Sequence, residues 1–465
     1  MSVQLSPGCY WLFGLTAVAI FTWGLLFSST PYLHDYGEWM FQGKVLALKL
    51  SDPGLVSGYQ LAPYPVPNSL ATLILAVLNL VFSPLLAGKL FLLLLLAGWC
   101  AVGWAFCTRF FGEAADAAKA WLLLLCVAGF SSFFWYGFVA YQLGALLFLA
   151  FLARYRTSTS LIEIALMSVV IFFSHAMMFL QFGMLVLIAV LIAGFPARHL
   201  LALVPSALLS AWFLAGRLAA GADPGSAAAQ WAGLFEAVVY KLGTATMLGP
   251  FKNFILPDGS ALLESLPALY WTGVAANVLV TALLGLLVVV VLVRQFVHSG
   301  FLLRTGELRT ALHYFCLMTA VLFVMAPHEF FGMENPGVRM LLPLLFACIA
   351  LLPSTMLRLP AVGVLLVAVV TLGSVSTYSV SLMRADGPNV SFETYESPPE
   401  DVRASVLKYN EWLYRHTRYS YYNYRVFAFE RRLHQLRSED YTGLGFRTGL
   451  IVAYVAKPAT ETESD

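Results

Sequence analysis

Eleven apolar runs interrupt this chain at intervals, and they constrain its fold more than any other feature. They cover residues 9–29, 85–107, 120–134, 138–153, 160–174, 176–194, 199–215, 267–293, 311–326, 337–353 and 359–381. A helix rises about 1.5 Å per residue and the hydrocarbon core of a bilayer is about 30 Å thick, so runs of this kind read as transmembrane helices. They are apolar along their whole length. A barrel strand would alternate apolar and polar residues instead. Composition agrees: 60% of the 465 residues are hydrophobic, 11% are charged and the mean hydropathy is +0.79. Soluble domains carry about 25% charged residues. A soluble enzyme, a disordered chain and a coiled coil are excluded. The fold class is an all-α polytopic membrane protein.

The formal net charge of +2 gives no global sign of a nucleic-acid partner. All six cysteines fall in or beside apolar runs, which predicts neither a disulfide framework nor a zinc site. The N-terminus lacks a basic region and a small-residue cleavage site, so residues 9–29 read as a retained helix.

A twelfth run, 68–82, would reach only about 22 Å and does not cross. Charge supports this. With eleven spans the loops fall into two alternating sets. One holds Arg109, Lys119, Arg154, Arg156, Arg198, Arg294, Arg304, Arg309 and Arg358 against four acids (Glu113, Asp116, Glu163, Glu307). The other, before the C-terminal tail, holds seven basic and nine acidic residues. The positive-inside rule makes the first set cytoplasmic. The expected topology has the N-terminus inside and the C-terminus outside, with 68–82 as a juxtamembrane helix at the outer interface. The expected domains are a transmembrane unit, 1–381, and a tail, 382–465. The first loop (30–84), the loop 216–266, the short loop 327–337 and the tail then face outside. In the tail, 403–417 and 425–437 look helical and 449–457 looks like a strand, predicting a small α/β unit. Between them, Tyr414 to Tyr424 is rich in tyrosine, which suits stacking on sugars or a small domain core.

The first loop carries the densest chemistry: Tyr32-Leu-His34-Asp35-Tyr-Gly-Glu38-Trp39, then Lys44, and Tyr64 further on. Asp35 and Glu38 are three apart and would share a helix face. At a membrane surface a carboxylate's pKa rises toward that of a general base. The structural alternative is an aspartate N-cap for a helix through 38–50. The loop 327–337 gathers His328, Glu329 and Glu334, and Arg339 lies just inside the next helix. An arginine at that depth is costly, and its planar fork suits phosphate. Pairing with Glu334 at the interface is the alternative. His175 marks a break between two apolar runs, and Lys89 sits near the start of the second span; a snorkelling role is the alternative for Lys89. His34, Asp35, His328 and Glu329 are the residues that could bind a divalent metal, but no recognised ligand spacing supports one. The chain has no phosphate-binding loop, dinucleotide fingerprint or nucleophile elbow. The short cytoplasmic loops leave no room for a nucleotide-binding domain, so a donor would already be outside.

This arrangement resembles the GT-C superfamily of integral membrane glycosyltransferases, which includes the protein O-mannosyltransferases, the lipid A aminoarabinose transferases and the catalytic subunits of oligosaccharyltransferase. The resemblance covers about residues 9–380. It lies in a first helix followed by a long loop opening with acids (His34-Asp35-Tyr-Gly-Glu38-Trp39), a juxtamembrane helix, Lys89 near the start of the second span, Trp135-Tyr-Gly137 between two spans, and Arg339 late in the chain. Several members carry adjacent acids or an Asp-x-Asp pair. Here the acids are three apart, which leaves open which of them acts.

The resemblance implies a GT-C-like bundle of about eleven helices. It implies transfer of a sugar from a polyprenyl-phosphate carrier to a glycan, lipid or protein acceptor. Asp35 would be the base with Glu38 beside it, Arg339 and Lys89 would hold phosphate, and His34, Lys44, Tyr64, His175, His328, Glu329 and Glu334 would line the cavity. The lipid-linked donor is then the only cofactor-like partner. The bacterial inner membrane is the expected location. A lipid or glycan translocator, or a non-catalytic subunit of an envelope-glycan assembly, is the rival reading.

Overall fold

The computed structural model describes residues 6–28, 33, 35–53, 59–219, 234–251, 267–298, 303, 305–327, 329–330, 333–352, 361–384 and 451–453. Helices dominate. Helix α1 is Pro7–Phe27 and α2 is Tyr36–Ser51; strand β1 (Tyr59–Leu61) precedes α3 (Ser69–Asn79). Then come α4 (Pro84–Phe110), α5 (Ala114–Leu124), α6 (Ser132–Trp135), α7 (Val139–Arg154), α8 (Leu161–Ser174) and α9 (Ala176–Leu191). They are followed by α10 (Arg198–Leu201), α11 (Val204–Ala219), α12 (Leu234–Ala245), α13 (Pro267–His298) and α14 (Leu308–Met325). Strands β2 (Glu329–Phe330) and β3 (Met333–Glu334) lead into α15 (Leu341–Leu351), then α16 (Ala361–Arg384) and strand β4 (Ile451–Ala453).

Among the described residues, seven helical segments are long and apolar enough to cross a membrane: Pro7–Phe27, Pro84–Phe110, Ala114–Trp135, Arg198–Ala219, Tyr270–Arg294, Leu308–Met325 and Ala361–Val380. The other expected runs, on α7, α8, α9 and Pro336–Leu351, are shorter apolar helices. Large apolar side chains such as Leu94, Leu208, Trp212 and Leu286 point outward and are mostly exposed. In water such a belt is unfavourable, whereas in lipid it costs nothing. The chain is a multi-pass membrane protein.

Local sequence explains the helix starts. Pro7 and Pro84 each occupy a first helical position, where no N–H is needed. Ser83 and Ser160 accept from the backbone N–H of Leu86 and Glu163, the latter opening a Ser-x-x-Glu start. Two expected spans are interrupted. The run 120–134 is not one helix: α5 widens into a π turn at Leu125–Gly129 and restarts as α6. Gln142 Nε2 donates to Ala128 O at 2.9 Å, satisfying a carbonyl there. The run 199–215 is split into α10 and α11, and Pro205 lies in the first turn of α11.

The bundle is built around α5, whose residues through Trp135 are buried along the apolar window. Its first turn carries Asp116 beside Lys119 at 3.5 Å, both buried, with the ammonium over the Tyr10 ring. Pairing makes burial of both charges tolerable. Helix α1 packs along α16, and α2 along α3. The segment 249–251 is pinned to three helices. Ser132 donates through N and Oγ to Gly249 O (both 2.8 Å), Ser374 Oγ to Pro250 O (2.6 Å), and Asn277 exchanges two bonds with Phe251.

Run 68–82 folds as α3, eleven residues long and about 16 Å from end to end, another of the shorter apolar helices. Of the strand expected at 449–457, Ile451–Ala453 are described; they form β4 and pair antiparallel with β1, Leu61 opposite Ile451. This joins the end of the chain to the first loop, a contact that local pattern does not reveal. The helices expected at 403–417 and 425–437 and the tyrosine-rich stretch lie outside the described residues.

Candidate functional site

The site is organised by a three-residue turn, Tyr136-Gly137-Phe138, between α6 and α7. Asp35, just ahead of α2, donates its backbone N–H to Tyr136 O at 2.8 Å. The next residue, Tyr36, is fully buried and anchors the helix start: its hydroxyl donates to Gly88 O at 2.6 Å, and its ring stacks on Phe91 at 6.1 Å. Burial pushes the Tyr36 phenol well above its usual pKa, so it stays a donor. Asp35 is therefore held from both sides. Gly137 has φ +75°, and a Cβ there would lie 2.6 Å from Tyr36 N and 2.8 Å from Asp35 N. Only glycine permits this docking.

Asp35 occupies the N-cap position of α2, but its side chain makes no capping bond, and its backbone is near αR (φ −87°, ψ −2°). Ordinary caps are extended and accept from the first turn. The capping alternative is thus not realised, and the carboxylate is half-buried.

Arg339 reaches the same turn from the other direction. Its guanidinium lies 5.4 Å from the centroid of the Phe138 ring, a cation–π distance. The Phe138 ring also stacks with Tyr136 at 5.6 Å. Arg339 is part of a 3-10 turn, Pro336–Met340, that precedes α15, rather than lying inside a regular helix. Asn335 starts that turn with φ +53°, and Arg339 donates back to its carbonyl at 3.1 Å. Tyr141, one turn after Phe138 on α7, donates its hydroxyl to Arg339 O at 3.2 Å.

His175 completes this wall. It is the single residue between α8 and α9, buried, with its ring 5.2 Å from that of Tyr141. Its Nδ1 has no hydrogen-bond partner. Burial, then the charge of Arg339, holds the imidazole well below its usual pKa, so it is neutral. Lys241 on α12 approaches from beyond Arg339. Its ammonium donates to Ala326 O at 2.6 Å, sits 5.4 Å from the Phe323 ring, and lies 2.9 Å from where a Cβ on Gly337 would be. Burial lowers its pKa. A bulkier residue at 337 would displace it.

The other expected site residues fall elsewhere or beyond description. Lys89 donates to Ser28 O (2.5 Å) and Leu26 O (3.2 Å), closing the C-terminus of α1. No described contact brings it to Arg339. Tyr64 packs edge-on against Phe213 of α11 at 6.0 Å and covers Gly216. Lys44 is half-buried on α2. Glu38 lies in α2, and Glu329 and Glu334 pair in register across the β2–β3 hairpin, a turn-back within the expected loop 327–337. His34 and His328 lie outside the described residues, so the four-residue metal option does too; among the described residues no group of three potential ligands gathers. Phe138 and Tyr141 were not singled out in the sequence. Their i, i+3 spacing after a glycine turn was the available signal.

No family model, no curated protein and no solved structure matches this chain. The functional reading therefore rests on this geometry and on the resemblance in its short motifs.

Proposed function

We propose that this protein is an outward-facing GT-C-type glycosyltransferase that moves a sugar from a polyprenyl-phosphate carrier to an envelope glycan, lipid or protein acceptor. The observation that supports the reading is that the backbone of Asp35 and the guanidinium of Arg339, about three hundred residues apart in sequence, both contact one turn. Asp35 is bonded to Tyr136 O, and Arg339 lies over Phe138. The proposed topology has eleven spans, counting α7, α8, α9 and Pro336–Leu351, with the N-terminus cytoplasmic and the tail outside a bacterial inner membrane. The β1–β4 pairing supports placing the first loop and the tail on one side.

In this mechanism the acceptor hydroxyl binds at Asp35, which takes its proton as the oxygen attacks the sugar's anomeric carbon. The bond from that carbon to the carrier phosphate breaks, and the phosphate leaves with the electron pair. Arg339 holds the phosphate and stabilises the charge that grows on it, and Lys241 adds a second cation on the same wall. Neutral His175 supplies a hydrogen-bonding group without a further charge.

The test is a transfer assay on protein in lipid nanodiscs, using a panel of polyprenyl-phosphate sugars and membrane-derived acceptors. Transfer by the wild type, lost in folded Asp35→Asn, supports the reading. Flipping of a lipid-linked glycan between leaflets without transfer would replace it with the translocator. Binding of the carrier with neither activity would point to a non-catalytic subunit.

A further inference from the structure

Helix α12 belongs to the loop 216–266, yet its far end is held inside the bundle. Thr281 of α13 donates its hydroxyl to Ala245 O at 3.3 Å. The apolar stretch of α13 begins at Tyr270, and Thr281 stands about 16 Å along it. Two further contacts give similar depths. Asn277, which bonds Phe251, is about 10 Å past Tyr270. Ser374, which bonds Pro250 O, is about 9 Å before Val380, where the apolar stretch of α16 ends. Short connections join α13 to α14 and α15 to α16, so α13 starts and α16 ends on the side where Ala326 and Arg339 lie. Irregular backbone survives at membrane depth only where protein satisfies it. Ser132, Ser374 and Asn277 do so for the carbonyls of Gly249, Pro250 and Phe251. Outward, α12 shows an apolar face. Phe235, Val238, Val239 and Leu242 follow the i, i+3, i+4, i+7 spacing; Phe235 is 82% exposed, Leu242 65%, and the valines about half. Lys241 leaves a different face, buried and bonded to Ala326 O. Val278, one turn before Thr281 on the same side of α13, is also half exposed.

We propose that α12 and residues 246–251 form a re-entrant element that dips into the leaflet on the site's side, with the acyl chains of that leaflet covering the Phe235–Val238–Val239–Leu242 stripe. The loop 216–266 then lies partly within the membrane and not wholly outside it. Helix α12 has twelve residues and spans about 18 Å, too little to cross. The chain enters and leaves on one side: α11 ends beside Tyr64 of the first loop, and α13 starts on the side of Ala326. An apolar stripe is a liability in water and is at home among acyl chains. Lys241 is thereby carried on a lipid-embedded helix, with its ammonium at the rim where α14 ends. The element does not depend on the transferase reading.

The experiment places the photoreactive residue p-benzoylphenylalanine, one position at a time, at Phe235, Val239 and Leu242 of the full chain. Glu236, exposed on α12 but off the stripe, and Leu286, exposed in mid-span on α13, are the references. Each variant, checked for wild-type thermal unfolding, is irradiated in nanodiscs of dioleoylphosphatidylcholine, and its adducts are located by mass spectrometry. The expected result is a mass gain of one phosphatidylcholine at all three stripe positions and at 286, and a several-fold lower yield at 236. The attachment lies on the acyl chain, farther from the glycerol at 242 than at 235. Adducts confined to the glycerol and headgroup at the stripe, with acyl-chain adducts at 286, overturn the proposal in favour of a helix lying on the surface. No lipid adduct at the stripe, with adducts at 286, overturns it as well. So do crosslinks from the stripe to a second copy or to another segment of the chain, since protein then covers that face.

Discussion

The two ends of the bundle treat their cations differently. At the end where α4 and α7 finish, Arg109 donates to the carbonyls of Leu152 and, at 2.6 Å, Tyr155. Arg154 bonds Glu163 at 2.8 Å, Tyr155 meets His199 at 3.1 Å, and Arg309 reaches Phe110 O. These contacts tie helix ends to one another. At the Asp35 end the cations bond main-chain carbonyls beside the turn and the hairpin, Arg339 to Asn335 and Lys241 to Ala326, and the buried His175 Nδ1 has no partner. A buried polar atom without a partner is costly. Both ends use cations to close helix ends, Lys89 on α1 and Arg109 on α7; the Asp35 end differs in setting Arg339 over a turn that also bonds the backbone of Asp35.

The strongest way to break this comparison is Asp35→Asn. Removal of a general base lowers rate by about 10²–10⁴-fold, so transfer should collapse while thermal unfolding stays near the wild type. Retained transfer in a folded Asp35→Asn, Glu38→Gln double variant sinks the assigned chemistry. Arg339→Ala comes next. Loss of a charged hydrogen-bonding partner is worth about 1.5–3 kcal/mol, so polyprenyl phosphate should bind about ten- to a hundred-fold more weakly in a titration. Unchanged affinity would remove Arg339 from the phosphate site.

Arg109→Ala is the matching change at the other end. Carbonyls left buried without their donor cost about 1–3 kcal/mol, so it should lower the unfolding temperature and leave carrier affinity alone. Gly137→Ala sharpens the contrast from the Asp35 end. A non-glycine residue forced into that backbone costs of order 1–3 kcal/mol, and the displaced Asp35 should also lose activity. Arg109→Ala should lose stability only.

The smallest effect is in pH. His175 has a folded pKa depressed by burial, so between that value and the ordinary value of about 6.5 the unfolded chain binds more protons. Its contribution to stability is fully present above about pH 6.5 and declines as pH falls toward the folded value. His175→Asn should flatten the wild-type fall in unfolding temperature between pH 7.5 and 5. An equally steep fall in the variant would assign the slope to other groups.

Much of this was readable in the sequence, for identifiable reasons. Apolar runs announce membrane helices because lipid allows no other backbone solution along such segments. The run 68–82 folds as a helix of only eleven residues, as its length suggested, since rise per residue is fixed. Asp35, His175 and Arg339 stood out because polar groups beside or within apolar runs are conspicuous. Their neighbours did not. Phe138, Tyr141 and Gly137 are ordinary residues in an apolar chain, and what selects them is contact with segments about a hundred or two hundred positions away. The π turn and the restart at Ser132 left no mark, because both preserve an unbroken apolar run.

The sequence by itself determined that this chain is a multi-pass helical membrane protein, that its run 68–82 makes only a short helix, and that its acids and histidines cluster in a few segments. These follow from local quantities: hydrophobicity, length and charge. Only the tertiary structure decided that Lys89 closes α1, that Tyr64 packs on α11, that β4 returns to β1, and that Asp35 and Arg339 share one turn. Those contacts depend on which helices lie side by side. Helix packing in lipid is set by shape and a few hydrogen bonds, which are properties of pairs of surfaces and not of any single stretch of sequence.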